Sequence, residues 1–220
     1  MWQLPHIITN SSSGEDYCLI EILGGQGGFA TTYLAIQYSD DDREKQFAIK
    51  VLKTEAEIGQ QGDYETIKEQ FEKENSLLER CCRNDYVVQT KGNIFTYDDR
   101  RCIVMEYVSK KTLKYYVAID HKGKLPLNLA IKLTNQIALA LQRIHQQEVF
   151  HLDIHPSNIM IRDDAQEAVL IDFGCAERLD DKEVIPSTHQ GMEGYQAIEL
   201  APNYQTAIDN RNNLRKKMGR

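Results

Sequence analysis

The chain has 220 residues, with 26 Lys plus Arg against 33 Asp plus Glu for a formal net charge of −7, and it is 41% hydrophobic and 27% charged. That length suits one domain burying roughly 70% of its unfolded surface, and 13 Gly, 5 Pro and the apolar content exclude collagen-like, low-complexity and disordered chains. The mild acidity argues against a broad nucleic-acid or anionic-membrane surface, and no window reaches the roughly 18 apolar residues of a membrane helix. The five cysteines (Cys18, Cys81, Cys82, Cys102 and Cys175) lack both paired CxxC spacing and the density of a disulfide scaffold. A soluble, cytoplasmic chain with reduced thiols is expected.

Residues 1–16 precede the first strand-like run. Tyr17–Leu23, Thr31–Gln37 and Gln46–Leu52 are short β-branched and aromatic runs separated by a glycine cluster and by the turn SDDDRE, which predicts an antiparallel meander. A helical stretch follows, with Ile67, Phe71, Leu78, Cys81 and Cys82 on one stripe. Two further strand-like runs, VVQTKGNIF and CIVMEYV, flank the polar turn TYDDRR. The second half opens with Leu129, Leu133, Ile137, Leu141 and Ile144 at helical steps, after Pro126 at a position that a first turn tolerates. The polar loop HLDIHPSN then leads to IMI and AVLI, which suit a small hairpin. From Gly174 to about Gln196 no period is visible, and a long loop in a compact domain is usually functional. The final stretch, 201–220, reads as a polar tail or the start of a truncated helix.

Several residues do not fit their surroundings. Lys50 lies in the strand FAIKVL, where both faces are apolar. Glu74 falls inside the apolar stripe of the helix, although glutamate is almost never buried unpaired. An ammonium and a carboxylate that both point inward suggest an ion pair. Gly25-Gln26-Gly27-Gly28-Phe29 is either a simple hairpin turn or a place where backbone N–H groups approach an anion. Asp153, Asn158 and Asp172 are oxygen donors in or beside loops, the donor type that holds Mg²⁺ together with phosphates, although each alone could be a turn residue.

Together, over residues 17 to 199, these features resemble the signature set of the eukaryotic-type protein kinases. GQGGFATTYLA resembles their glycine-rich loop, FAIK their V-A-I-K, Glu74 the helix glutamate that pairs with that lysine, and MEYV the hinge. HLDIHPSN resembles H-R-D-L-x-x-x-N, Asp172-Phe173-Gly174 is D-F-G without change, and GYQAIE at 194–199 resembles G-Y-x-A-P-E. The resemblance implies an α+β, bilobal fold: an extension (1–16), an N-lobe with a five-stranded antiparallel sheet and one helix (17–105), a mainly helical and shortened C-lobe (106–200), and the tail (201–220).

It further implies ATP and Mg²⁺ as cofactors and a protein Ser/Thr hydroxyl as acceptor, with autophosphorylation included. Gly25, Gln26, Gly27, Gly28 and Phe29 would cover the ATP phosphates, Lys50 would hold them, and Glu74 would orient Lys50. Met105, Glu106 and Val108 would meet adenine. Asn158 and Asp172 would bind the metal, and Asp153 would be the catalytic base. His155 stands where the family's Ser/Thr kinases have a lysine that neutralises the transferring phosphate, and it is counted with Asp153, Lys50 and Glu74 among the catalytic residues. Leu152 replaces the arginine that normally receives an activation-loop phosphate, so no on-switch through Ser187 or Thr188 is expected. Only 21 residues follow Glu199, which leads to the expectation of a fragment or a minimal kinase. Two alternatives fit parts of the pattern: a pseudokinase or ATP-binding scaffold, and a small-molecule phosphotransferase of the aminoglycoside or choline kinase type.

Overall fold

The computed structural model describes residues 2–25, 28–38, 44–162 and 166–178. Gln26, Gly27, Ser187, Thr188, the GYQAIE element and the 201–220 stretch lie outside the described residues.

Strands β1 (His6–Thr9), β2 (Asp16–Gly24), β3 (Ala30–Tyr38), β4 (Glu44–Leu52), β5 (Phe95–Tyr97) and β6 (Arg100–Glu106) form one antiparallel sheet in the order β1-β2-β3-β4-β6-β5. The sheet therefore has six strands rather than the five expected from the sequence. The additional one comes from residues 1–16, where Ile8 is fully buried and pairs with Tyr17. Trp2 extends this contact across the sheet, stacking on His6 at 4.8 Å, meeting Tyr97 edge-on at 5.7 Å and lying 5.0 Å from the Arg100 guanidinium.

Alternation along β4 places Ile49 and Val51 in the core of one sheet face and Leu52 in the core of the other. Lys50 follows Leu52's parity and so projects on the second face. That face is covered by α1 (Glu55–Ile58) and α2 (Tyr64–Cys81), through Ile58, Ile67 and Phe71. Two helices thus replace the one expected. Gly59, at φ +61°, ends the first, and Asp63 caps the second by accepting from the Thr66 amide at 2.9 Å. The β5–β6 hairpin closes through Asp98 and Asp99, both at positive φ, as a two-residue turn requires.

Below the sheet, α3 (Leu113–Tyr115) continues as a π-helical turn over Tyr116–Asp120 and is followed by α4 (Leu127–His145). The hairpin β8 (Ile159–Arg162) and β9 (Glu167–Leu170) forms where IMI and AVLI suggested it. A second small pair joins β7 (Val149–Phe150) to β10 (Glu177–Arg178). Leu129, Leu133, Ala140 and Ile144 of α4 pack on Ile161, Val169, Leu170 and Phe173, and Leu77 and Leu78 at the end of α2 share this lower core. Among the described residues no helix is long and apolar enough to cross a membrane, and no disulfide joins any of the five cysteines.

Candidate active site

A cleft of about 680 Å³ opens between the sheet and the lower half. Gly25, Gly28 and Phe29 form its roof, Lys50 and Glu74 its inner wall, Met105, Glu106 and Val108 its back, and Asn158 and Asp172 its floor. These residues come from opposite ends of the sequence and meet because β4, α2, β6 and the β9 exit all border one opening.

The inner wall is an ionic triad. Lys50 Nζ lies 2.5 Å from Glu74 Oε1 and 3.0 Å from Asp172 Oδ1. Burial alone would push the Lys50 ammonium down, but the carboxylates of Glu74 and Asp172 outweigh it and hold the lysine above its usual range. Lys50 in turn holds Asp172 below the usual carboxylate range, with burial opposing. Glu74 is the most enclosed of the three, with 7% of its side chain exposed. Burial raises its carboxyl, Lys50 opposes that rise, and Asp172 adds to it.

The roof depends on Gly25. Its φ is +82°, and a Cβ there would lie 2.3 Å from the Ala30 carbonyl oxygen, so only glycine fits without displacing β3. Gly28 N–H donates back to the Gly25 carbonyl at 3.3 Å.

Asp153 and His155 lie one layer below the floor and join it through Asn158. The Asn158 amide Nδ2 donates to Asp153 Oδ2 at 2.9 Å and to the Asp153 carbonyl at 3.1 Å. His155 Nδ1 accepts from the Ser157 N–H at 3.2 Å, which assigns the ring hydrogen to Nε2, and Nε2 lies 3.3 Å from Asp153 Oδ2. Both donors converge on one carboxylate oxygen. His155 is buried at 5% exposure and faces Asp153 rather than the open cleft, so it does not stand in the phosphate-contacting position expected of the residue two places after Asp153 and instead positions Asp153. His151 makes the analogous contact one step earlier. Its Nδ1 accepts from the Asp153 amide and its Nε2 donates to the Ile171 carbonyl at 3.0 Å, while burial depresses its pKa and favours the neutral ring.

Leu152 and Asp172 hold positive φ values of 61° and 63°. Non-glycine residues in this region cost about 1 kcal/mol or more and cluster where surrounding structure fixes them for function. Each lies in a loop tethered on both sides, by His151 and Asp153 in one case and by Lys50 and buried Phe173 in the other.

Sequence patterns gave no sign of the braces behind the site. Glu106 Oε2 accepts from Arg162 Nη2 at 2.7 Å and Oε1 accepts from the Gln89 amide at 3.0 Å, which ties the back of the cleft to β8. Gln89 and Arg162 stand 17 and 56 residues from Glu106, beyond any local spacing rule.

An antiparallel sheet above a helical half, with a lysine–carboxylate triad in the cleft between them, is the architecture of the protein kinase domain. The chain belongs to that family, whose model, described as protein kinase domain, matches residues 17–210. It is 34% identical over 167 residues to a probable serine/threonine-protein kinase of Clostridium perfringens, covering 76% of this chain and 22% of that one. It is 29% identical over 181 residues to serine/threonine-protein kinase D of Synechocystis (80% and 34%) and 32% identical over 163 residues to serine/threonine-protein kinase PrkC of Bacillus subtilis (74% and 23%). The chain thus spans a fifth to a third of the length of these curated relatives.

Proposed function

We propose that this chain transfers the γ-phosphate of ATP to a Ser or Thr hydroxyl of a protein, its own chain included, with Mg²⁺. The observation that carries the reading is the convergence of Lys50, Glu74, Asp172 and Asn158 on one cleft large enough for a nucleotide, with Asp153 held just beneath it by Asn158. The names of the serine/threonine-protein kinases it resembles support the acceptor class.

Lys50, kept cationic by its two carboxylates, would neutralise phosphate charge, and Glu74 would keep it aimed at the cleft. The Gly25–Phe29 turn would cover the phosphates with backbone N–H groups, and the backbone from Glu106 to Val108 would meet adenine. Asn158 uses both amide hydrogens on Asp153, which turns its carbonyl oxygen outward as an acceptor. That oxygen and the Asp172 carboxylate, 48% exposed, are the hard donors Mg²⁺ requires. When bound there, the metal would offset the charge of the transferring phosphoryl group. Asp153, oriented by Asn158 and His155, would accept the proton as the hydroxyl oxygen bonds to phosphorus and the bond to the ADP oxygen breaks.

Asp153→Asn is expected to lower transfer to a generic protein substrate by roughly 10²–10⁴-fold with ATP affinity unchanged. Equal transfer by the wild type and by Asp153→Asn would remove the assigned role. ATP binding without any transfer by the wild type would point to a scaffold.

A further inference from the structure

Lys73 and Glu74 are neighbours on α2, yet they serve different elements. Glu74 turns to Lys50. Lys73 Nζ donates instead to Glu177 Oε2 on β10, a contact between side chains 38% and 24% exposed. Glu177 is paired in register with Phe150 on β7, directly before His151, and His151 in turn accepts from the Asp153 amide.

The segment between Asp172 and Glu177 is thereby fixed to the α2 side at both ends. At one end Asp172 binds Lys50, which binds Glu74; at the other, Glu177 binds Lys73. Phe173 between them is fully buried in the core that holds Leu77 and Leu78 of α2, and its ring lies 4.9 Å from that of His151. The backbone at Gly174 runs so close that a Cβ there would sit 3.6 Å from Glu74 Oε2. A shift of α2 that broke the Lys73 contact would carry Glu74 with it, because the two residues share one helical turn.

The geometry points to a permanent lock: the Lys73–Glu177 ion pair positions α2 so that Glu74 stays on Lys50, with both charges supplied by the chain itself and no phosphate required. Lys73 and Glu177 are positioning residues that act through Glu74. The catalytic loop provides no competing cation at the arginine position, which is Leu152. This inference rests on the kinase reading above and concerns how that same site is held ready.

The test compares phosphatase-treated wild type, Lys73→Gln, Glu177→Gln, the double variant and Lys73→Arg, each as the full chain, for kcat, KM for ATP and melting temperature. Each Gln variant is expected to lose about tenfold in kcat with KM within about twofold, as for a typical coupling between sites. The double variant should lose no more than either single one, because one interaction is being removed twice. Lys73→Arg, which keeps the charge, should retain kcat within about threefold. Unchanged kcat in the single variants, losses that multiply in the double, or a wild type inactivated by phosphatase would each overturn the lock. Absence of transfer by the wild type both before and after phosphatase treatment would instead count against the kinase reading itself.

Discussion

Replacing Lys50 by methionine should make stability pH-dependent in a way that the triad geometry specifies. The substitution keeps most of the side-chain volume and removes the charge 2.5 Å from Glu74 Oε1. Glu74 is then a buried carboxyl facing Asp172, with the main influence opposing its raised pKa gone. Its folded pKa lies above its unfolded one, so the penalty is absent below about pH 4.3, grows as pH rises through the folded pKa, and is constant above it. Leaving one partner of a buried pair uncompensated costs about 3–5 kcal/mol. Asp172, half-exposed, stays hydrated and softens the effect, which favours the lower end of that range. For a chain of this size about 3 kcal/mol lowers Tm by roughly 6–12 °C. Thermal melts of wild type and Lys50→Met at pH 8 and pH 5.5 should show the full loss at the higher pH and a clearly smaller one at the lower. Adding Glu74→Gln should abolish the difference between the two pH values. An equal loss at both, or a pH dependence that survives in the double variant, would refute the placement of Glu74 as the buried, ionisation-limited member.

Two further outcomes follow from other parts of the molecule. Gly25→Ala forces both a strained φ and a clash with the Ala30 carbonyl; it should destabilise by about 1–3 kcal/mol in urea titration and raise KM for ATP. The Lys91 ammonium beside Glu15, 2.7 Å away, holds that carboxyl at about 2, against an opposing burial contribution and with help from Gln37, Ser13 and Tyr17. Because this folded pKa is depressed, the stabilisation is present above the ordinary carboxylate value and is lost as pH falls toward 2. Both partners are more than a third exposed, so Lys91→Met should flatten the acid limb of the stability curve by less than about 1 kcal/mol.

What the sequence made legible was mostly residues in conflict with their periodicity. Lys50 and Glu74 each broke an apolar pattern, and the fold resolves both violations with one contact. The hairpin of β8 and β9 was readable because two apolar runs flank polar turn residues. VVQTKGNIF misled in part, because strand-like composition does not specify a partner. Val87 and Val88 are buried and bond the lower half, with Val88 N–H donating to Leu170 and Leu170 N–H donating to Tyr86, whereas Gln89 to Lys91 turn to β6, with Lys91 N–H donating to Val104 and Glu106 N–H donating to Gln89, and Phe95–Tyr97 forms β5. The π turn after Tyr115 left no trace in the pattern. Residues 1–16 looked like an extension since their burial rests on scattered anchors, Trp2 and Ile8, with no run to count. The floor's Asp153 clamp depended on side-chain hydrogen bonds that spacing alone cannot orient.

Trp2 is the only tryptophan in the chain, and its ring lies on the sheet face away from the cleft, against His6, Tyr33, Tyr97 and Arg100. Intrinsic emission is therefore a local reporter of the N-terminal strand. It follows the release of β1 from β2, while far-ultraviolet dichroism follows α2 and α4. A denaturation in which the two signals separate would mean that the sheet sheds its outermost strand before the cleft comes apart.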